Sequence, residues 1–300
     1  MATDFSPSSE RALQHSLAIA RHFGATLHFV HFVRPSQFVY APEMIPTVDE
    51  IASRDFEQLL ATLRTGHRLD GIEFRRWVLE GEVSEVTRKF IESHAIDLLV
   101  LGTHGRAGIP RLLLGSVAQE IFHYVRCPVL TVGPCSPGAG FRPQLRRVLY
   151  STDLSPESLA ALPYVLTAIR DWHAQVDVVH VCSSSGGNCK GPMKDLKETI
   201  EALRAGEEAA TIRYHVLSGN PASCVVGFAR ENSVDLIVLG LKPRRALYSG
   251  PLWSHAYEIV RRTPCPVLSV RSLPAARSAG ASRCSAENAR SDAEAVSSLG

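Results

Sequence analysis

The stretch Thr3-Asp4-Phe5-Ser6-Pro7 returns as Thr152-Asp153-Leu154-Ser155-Pro156, and the correspondence continues without a gap to His31 and His180. Further along, IDLLVLG at 96–102 returns as VDLIVLG at 234–240, and CPVLTV at 127–132 returns as CPVLSV at 265–270. A chain that repeats itself in this way is a tandem duplication, so a single architecture has to satisfy both halves. Its 300 residues suit two domains of ordinary size.

Each half alternates helical and strand patterns. In the first, Ser6 can cap a helix that has Pro7 at its first position, with Leu13, Leu17 and Ala20 as its buried stripe and Gly24 as its end. LHFVHFV at 27–33 reads as a strand, 49–67 as a helix, IEFRRWVL at 72–79 as a strand and 83–94 as a helix. DLLVL at 97–101, a helix over 116–125 and PVLTV at 128–132 complete the unit. Apolar strands alternating with helices give a parallel sheet covered on both faces, an α/β doubly wound fold. The second half follows the same order, with Pro163 predicted to kink or shorten its first helix. The domains therefore run over 1–133 and 145–271. Between them, 134–144 is a Gly/Pro-rich linker, and 272–300, rich in Ala, Ser and Arg, reads as a disordered tail.

Composition narrows the function classes. Thirty-two basic residues against 30 acidic ones are spread along the chain without a single-sign block, so charge nominates no nucleic-acid partner. Seven cysteines, several in apolar segments, imply no disulfide framework and fit a reducing compartment. MATDFSPSSE lacks the basic and apolar regions of a signal peptide, and no run approaches the roughly 18 apolar residues of a membrane span. These features describe a soluble cytoplasmic protein.

The chemistry concentrates at the end of the third predicted strand. There the spacing is Gly102, two residues, Gly105, nine residues, Gly115, Ser116. In an open parallel sheet ligands bind beyond the carboxyl ends of the strands. Backbone amides of a glycine-rich turn, joined by a helix N-terminus, cradle anions, and glycine lets phosphate oxygens come close. This spacing, an Asp after the first strand, and the CPVL strand together closely resemble the ATP-binding universal stress proteins, over roughly 1–133 and 145–271. The resemblance implies a Rossmann-like five-stranded parallel sheet per domain, ordered 3-2-1-4-5, with the domains paired through their last strands. It also implies bound ATP, with or without magnesium. Asp4 would hold the nucleoside end and the backbone of Phe32 would meet the adenine. Gly102, Gly105, Gly115 and the Ser116 hydroxyl would bind phosphates, with His104 and Arg106 nearby in the loop.

The second half departs from the pattern. Asp153 and Gly240 persist, but Pro243 stands for the second glycine and Trp253 for the third, which removes an amide and fills the phosphate space. The first half departs differently. Met1 aligns with Tyr150, so the strand LRRVLY at 145–150 has no counterpart in it. The first domain is expected to lack its first and central strand, as if the start codon were placed too far downstream.

Other motifs add little. SSSGGNCK at 183–190 superficially resembles the phosphate loop of ATP pyrophosphatases but follows the second strand of its domain, where a flexible connection is the simpler reading. His173, His180, Cys182 and Cys189 fit no common zinc spacing, and His180 has its twin in His31. No nucleophile elbow, HExxH or paired-carboxylate motif occurs. The leading reading is a non-catalytic, ATP-binding stress-response protein. A slow ATPase or autophosphorylating enzyme, using a loop serine as acceptor, and a ligand-free interaction scaffold are the alternatives.

Overall fold

The computed structural model describes residues 1–33, 48–103, 115–125, 127–133, 136, 145–182, 190–203, 211–241 and 255–271. The first repeat runs α1 (Pro7–Phe23), β1 (Leu27–Val33), α2 (Val48–Thr65), β2 (Phe74–Glu80), α3 (Val83–Ser93), β3 (Leu99–Gly102), α4 (Ser116–Tyr124) and β4 (Val129–Val132). The second runs β5 (Arg147–Thr152), α5 (Pro156–Leu159), α6 (Leu162–Trp172), β6 (Gln175–Cys182), α7 (Lys190–Leu203), β7 (Ile212–Ser218), α8 (Pro221–Glu231), β8 (Leu236–Leu241), α9 (His255–Arg262) and β9 (Val267–Arg271). The linker residues between 137 and 144, the tail from 272 and the segment 183–189 lie outside the described residues.

Local chemistry explains the element ends. Ser6 caps α1, its hydroxyl accepting the Ser9 amide at 3.3 Å, and Pro7 opens the helix. Gly24 closes it at φ 60°, the left-handed conformation that favours glycine. In the second repeat the corresponding helix is broken into α5 and α6, with Pro163 in the first turn of α6, where its missing amide costs nothing.

Strands β7-β6-β5-β8-β9 are mutually parallel and realise the 3-2-1-4-5 order in the second repeat. At its edge β9 meets β4 antiparallel, Leu130 opposite Leu268, so the two repeats join through their last strands. β3 continues parallel to β4, giving a seven-stranded sheet, β3-β4-β9-β8-β5-β6-β7. Strands β1 and β2 form a separate parallel pair. Instead of two five-stranded sheets the described residues form one of seven strands and one of two, with residues 1–3 standing between β1 and β3. Ala2 bridges Val30 of β1, the Ala2 amide donates to the Val100 carbonyl at 2.8 Å, and the Thr3 amide donates to the Val30 carbonyl at 2.8 Å. Beyond Met1 the strands diverge around a cavity of about 360 Å³.

Helices cover both faces. One core gathers Leu13 and Leu17 of α1, Phe56 and Leu63 of α2, Val165 and Ile169 of α6, Ile200 of α7, and Phe29, Val148, Tyr150, Val176 and Val178 of the strands. The other gathers Val83, Ile121, Val225, Val226, Tyr257 and Val260 of α3, α4, α8 and α9 with Leu101, Leu149, Val179, Ile237 and Val267. Consecutive strand residues such as Val148 and Leu149 enter opposite cores, so near-continuous apolar strands are what a doubly covered sheet requires. Among the described residues no helix is long and apolar enough to cross a membrane.

Candidate functional site

Gly102 ends β3 against Ser8 in the first turn of α1, and Thr3 donates its amide to the Val30 carbonyl of β1 at 2.8 Å. Thr3 sends its hydroxyl to accept the Phe5 amide at 3.0 Å, and Phe5 takes φ 59°. Asp4 then turns back on the chain: its Oδ1 accepts the Ser6 amide at 3.1 Å and the Ser9 hydroxyl. The second repeat builds the same turn. Thr152 accepts the Leu154 amide at 2.9 Å, Leu154 has φ 62°, and Asp153 Oδ1 accepts the Ser155 amide at 3.0 Å. The His31 Nδ1–H donates to the Thr3 carbonyl at 2.8 Å, as that of His180 does to the Thr152 carbonyl at 3.0 Å. Thr3 and His31 therefore fix the turn that presents Asp4. Their recurrence at aligned positions of both halves was the signal that could have found them.

Phe32 lies near the end of β1, its backbone in register with Leu79 of β2 and its ring half-buried against the second core. At Gly102 the backbone of α1 comes close. A Cβ built there would stand 2.8 Å from the Ser8 carbonyl carbon and oxygen, and at Gly240 it would stand 2.3 Å from the Ser158 Cα. Glycine is required at both positions by helix-on-strand contact, in the repeat that keeps the glycine spacing and in the one that lost it. Gly102 therefore has a structural reason independent of any phosphate.

Past Gly102, buried Thr103 donates its amide to the Val132 carbonyl at 3.1 Å and accepts the Gly115 amide at 2.8 Å. That bond closes the neck of the loop, whose residues 104–114, with Gly105, His104 and Arg106, lie outside the described residues. Gly115 has ordinary angles, φ −56° and ψ 148°, and stands as N-cap of α4 without a side-chain cap. Its carbonyl accepts the Gln119 amide at 2.8 Å, which leaves the amides of residues 116–118 ahead of the first intrahelical bond. Gly115 spends its own amide on Thr103 and so cannot offer it to a ligand in this arrangement; Ser116 begins the helix immediately after.

The profile of the Universal stress protein family matches residues 1–133 and 144–271. This chain belongs to the universal stress protein family. A universal stress protein of Methanocaldococcus jannaschii is 32% identical over 132 residues, spanning 43% of this chain and 78% of that protein. Universal stress protein A homolog 1 of Coxiella burnetii is 32% identical over 139 residues, spanning 44% of this chain and 92% of its own. Among solved structures, a universal stress protein from Archaeoglobus fulgidus superposes with a TM-score of 0.68 at 20% identity, covering 90% of this chain and 96% of that one. A Pseudomonas aeruginosa structure described as a putative universal stress protein superposes at 0.59 and 14% identity, covering 86% and 87%. These likenesses show the fold across both repeats.

Within this tandem universal stress protein, Pro243 and Trp253 of the second repeat lie outside the described residues. Cys182, at the end of β6, is disulfide-bonded, while Cys127, Cys224 and Cys265 are free; burial pushes the thiols of Cys127 and Cys265 up to about 11. No cluster of His, Cys, Asp and Glu suited to a metal is found among the described residues.

Proposed function

We propose that the first repeat binds ATP, with or without magnesium, and that occupancy alters stability or partner choice instead of driving a reaction. The observation that carries this reading is the N-terminus of α4. It has no side-chain cap, and it starts at the neck of the glycine-spaced loop, where Gly115 bonds to Thr103 just past the carboxyl end of β3. A helix N-terminus offers unbonded amides and the positive end of a dipole, which suits a polyphosphate. Asp4 would serve the nucleoside end and the Phe32 backbone the adenine. Gly102, Gly105, Gly115 and Ser116 would line the phosphates, with Gly115 contributing through its cap geometry.

Incubation of the full chain with γ-labelled ATP tests the reading. Bound, intact nucleotide released on denaturation supports it. Label appearing as free phosphate or on the protein at rates that follow protein concentration would replace it by ATPase or autophosphorylating activity. Absence of binding at millimolar ATP would leave the scaffold.

A further inference from the structure

Helices α1 and α2 contribute to the same core, and between them lies a second cavity, of about 380 Å³. Cavities that take small molecules begin at about 300 Å³. The helical repeat builds its walls. Glu10 and Leu13 stand three residues apart on α1, and Asp55, Leu59 and Leu63 follow at intervals of four on α2, so each set shares one face of its helix. Leu13 and Leu63 are buried and make the cavity floor apolar. Arg68, three residues past the end of α2, brings a cation to the same cavity.

That cation is poorly satisfied by the protein itself. The Arg68 side chain is only 26% exposed, yet its guanidinium donates no hydrogen bond among the described residues, and its Nη2 is shielded from water. The anion beside it is Glu10, whose Oε1 stands 3.9 Å from Arg68 Nη1, beyond hydrogen-bond reach. Burial, the largest influence, holds the guanidinium below its ordinary value despite Glu10, and Arg21 adds to the effect. A guanidinium so placed calls for an acceptor with two oxygens, the group its planar fork matches. The second repeat is built differently at this place. Leu159 stands where Glu10 does and packs on the core, and the Tyr150 hydroxyl donates to the Ser158 carbonyl at 2.9 Å.

We infer that the cavity between α1 and α2 binds a free α-amino acid with an apolar side chain. Its carboxylate takes the hydrogen bonds that Arg68 has not spent, its ammonium meets Glu10, and its side chain lies on Leu13, Leu59 and Leu63. The 3.9 Å between Glu10 and Arg68 selects a zwitterion over a simple anion. An anion that brings no cation is repelled by Glu10, whereas an α-amino acid carries both charges on neighbouring groups and answers both walls at once. Asp55 on the α2 wall repels an acidic side chain, and the leucines reward an apolar one.

Isothermal titration of the full chain with L-leucine tests this, with leucinamide lacking the carboxylate and N-acetyl-leucine lacking the ammonium. L-leucine should bind at one per chain, and leucinamide, N-acetyl-leucine and L-glutamate should each bind about tenfold more weakly or worse. Arg68→Gln and Glu10→Gln, each shown by circular dichroism to be folded, should weaken L-leucine by a similar factor. Glu10 is 57% exposed, so its change leaves the core intact, and Glu10→Gln should bind N-acetyl-leucine more tightly than the parent does. Absence of L-leucine binding at millimolar concentration overturns the proposal, as does undiminished binding by folded Arg68→Gln. N-acetyl-leucine binding the parent as tightly as L-leucine overturns the zwitterion and leaves a plain carboxylate site.

Discussion

Gly102 illustrates how one residue can answer two demands. A glycine at a strand end is wanted by a phosphate that must approach the backbone and equally by a helix that packs against it, and sequence spacing cannot separate the two. The contact with Ser8 does. Gly102→Ala should lower stability by about 1–3 kcal/mol through overpacking, and Gly240→Ala by more, since its Cβ would meet Ser158 Cα. Denaturant midpoints check this; an unchanged midpoint for Gly102→Ala with lost nucleotide binding would return the residue to the phosphates. At the same scale, acid should destabilise the fold. Burial holds His15 down to about 4 and lowers His28 as well. Unfolding restores ordinary values, so the unfolded chain binds more protons and stability falls as pH drops below about 6.5 through the histidines. His15 alone should account for on the order of 2 kcal/mol between pH 6.5 and 5. A Tm that stays level from pH 8 to 5, or one whose slope His15→Gln leaves untouched, would contradict this.

Among the elements, the helix starting at Pro7, the strand 27–33 and the break at Pro163 were legible, because caps, proline and apolar periodicity act locally. Strand limits were less so. Asp97 and Leu98 read as strand yet β3 begins at Leu99. The antiparallel register of β4 on β9 was also beyond the sequence. Both strands are buried on both faces, so no alternation marks which residue meets which; the resemblance alone suggested the pairing. Thr131 reinforces it with a hydroxyl bond to the Val267 carbonyl at 3.2 Å. Val129→Pro should disrupt β4 and expose the β9 edge, which then separates the repeats or drives aggregation. Small-angle scattering checks this, and an unchanged compact particle would count against it.

For the molecule as a whole, duplication made the architecture readable, and comparison of the halves exposed both departures, the missing central strand and the second repeat's lost glycines. The candidate site was legible only as a constellation. The structure places Asp4, Phe32, Gly102, Gly115 and the start of α4 at strand carboxyl ends, but the roles of Gly105, Pro243 and Trp253 fall in segments outside the described residues. The asymmetry between repeats therefore has to be read by ligand count. Native mass spectrometry of the full chain titrated with ATP should show one nucleotide per chain, retained in a Trp253→Gly variant and lost in Gly105→Pro and Gly115→Trp, each shown by circular dichroism to be folded. ATP at about one hundred times its dissociation constant should also add roughly 2.7 kcal/mol of stability to the parent and none to the two variants. Two nucleotides per parent chain, or undiminished binding by folded Gly115→Trp, would show that the glycine-spaced loop of the first repeat does not hold the nucleotide.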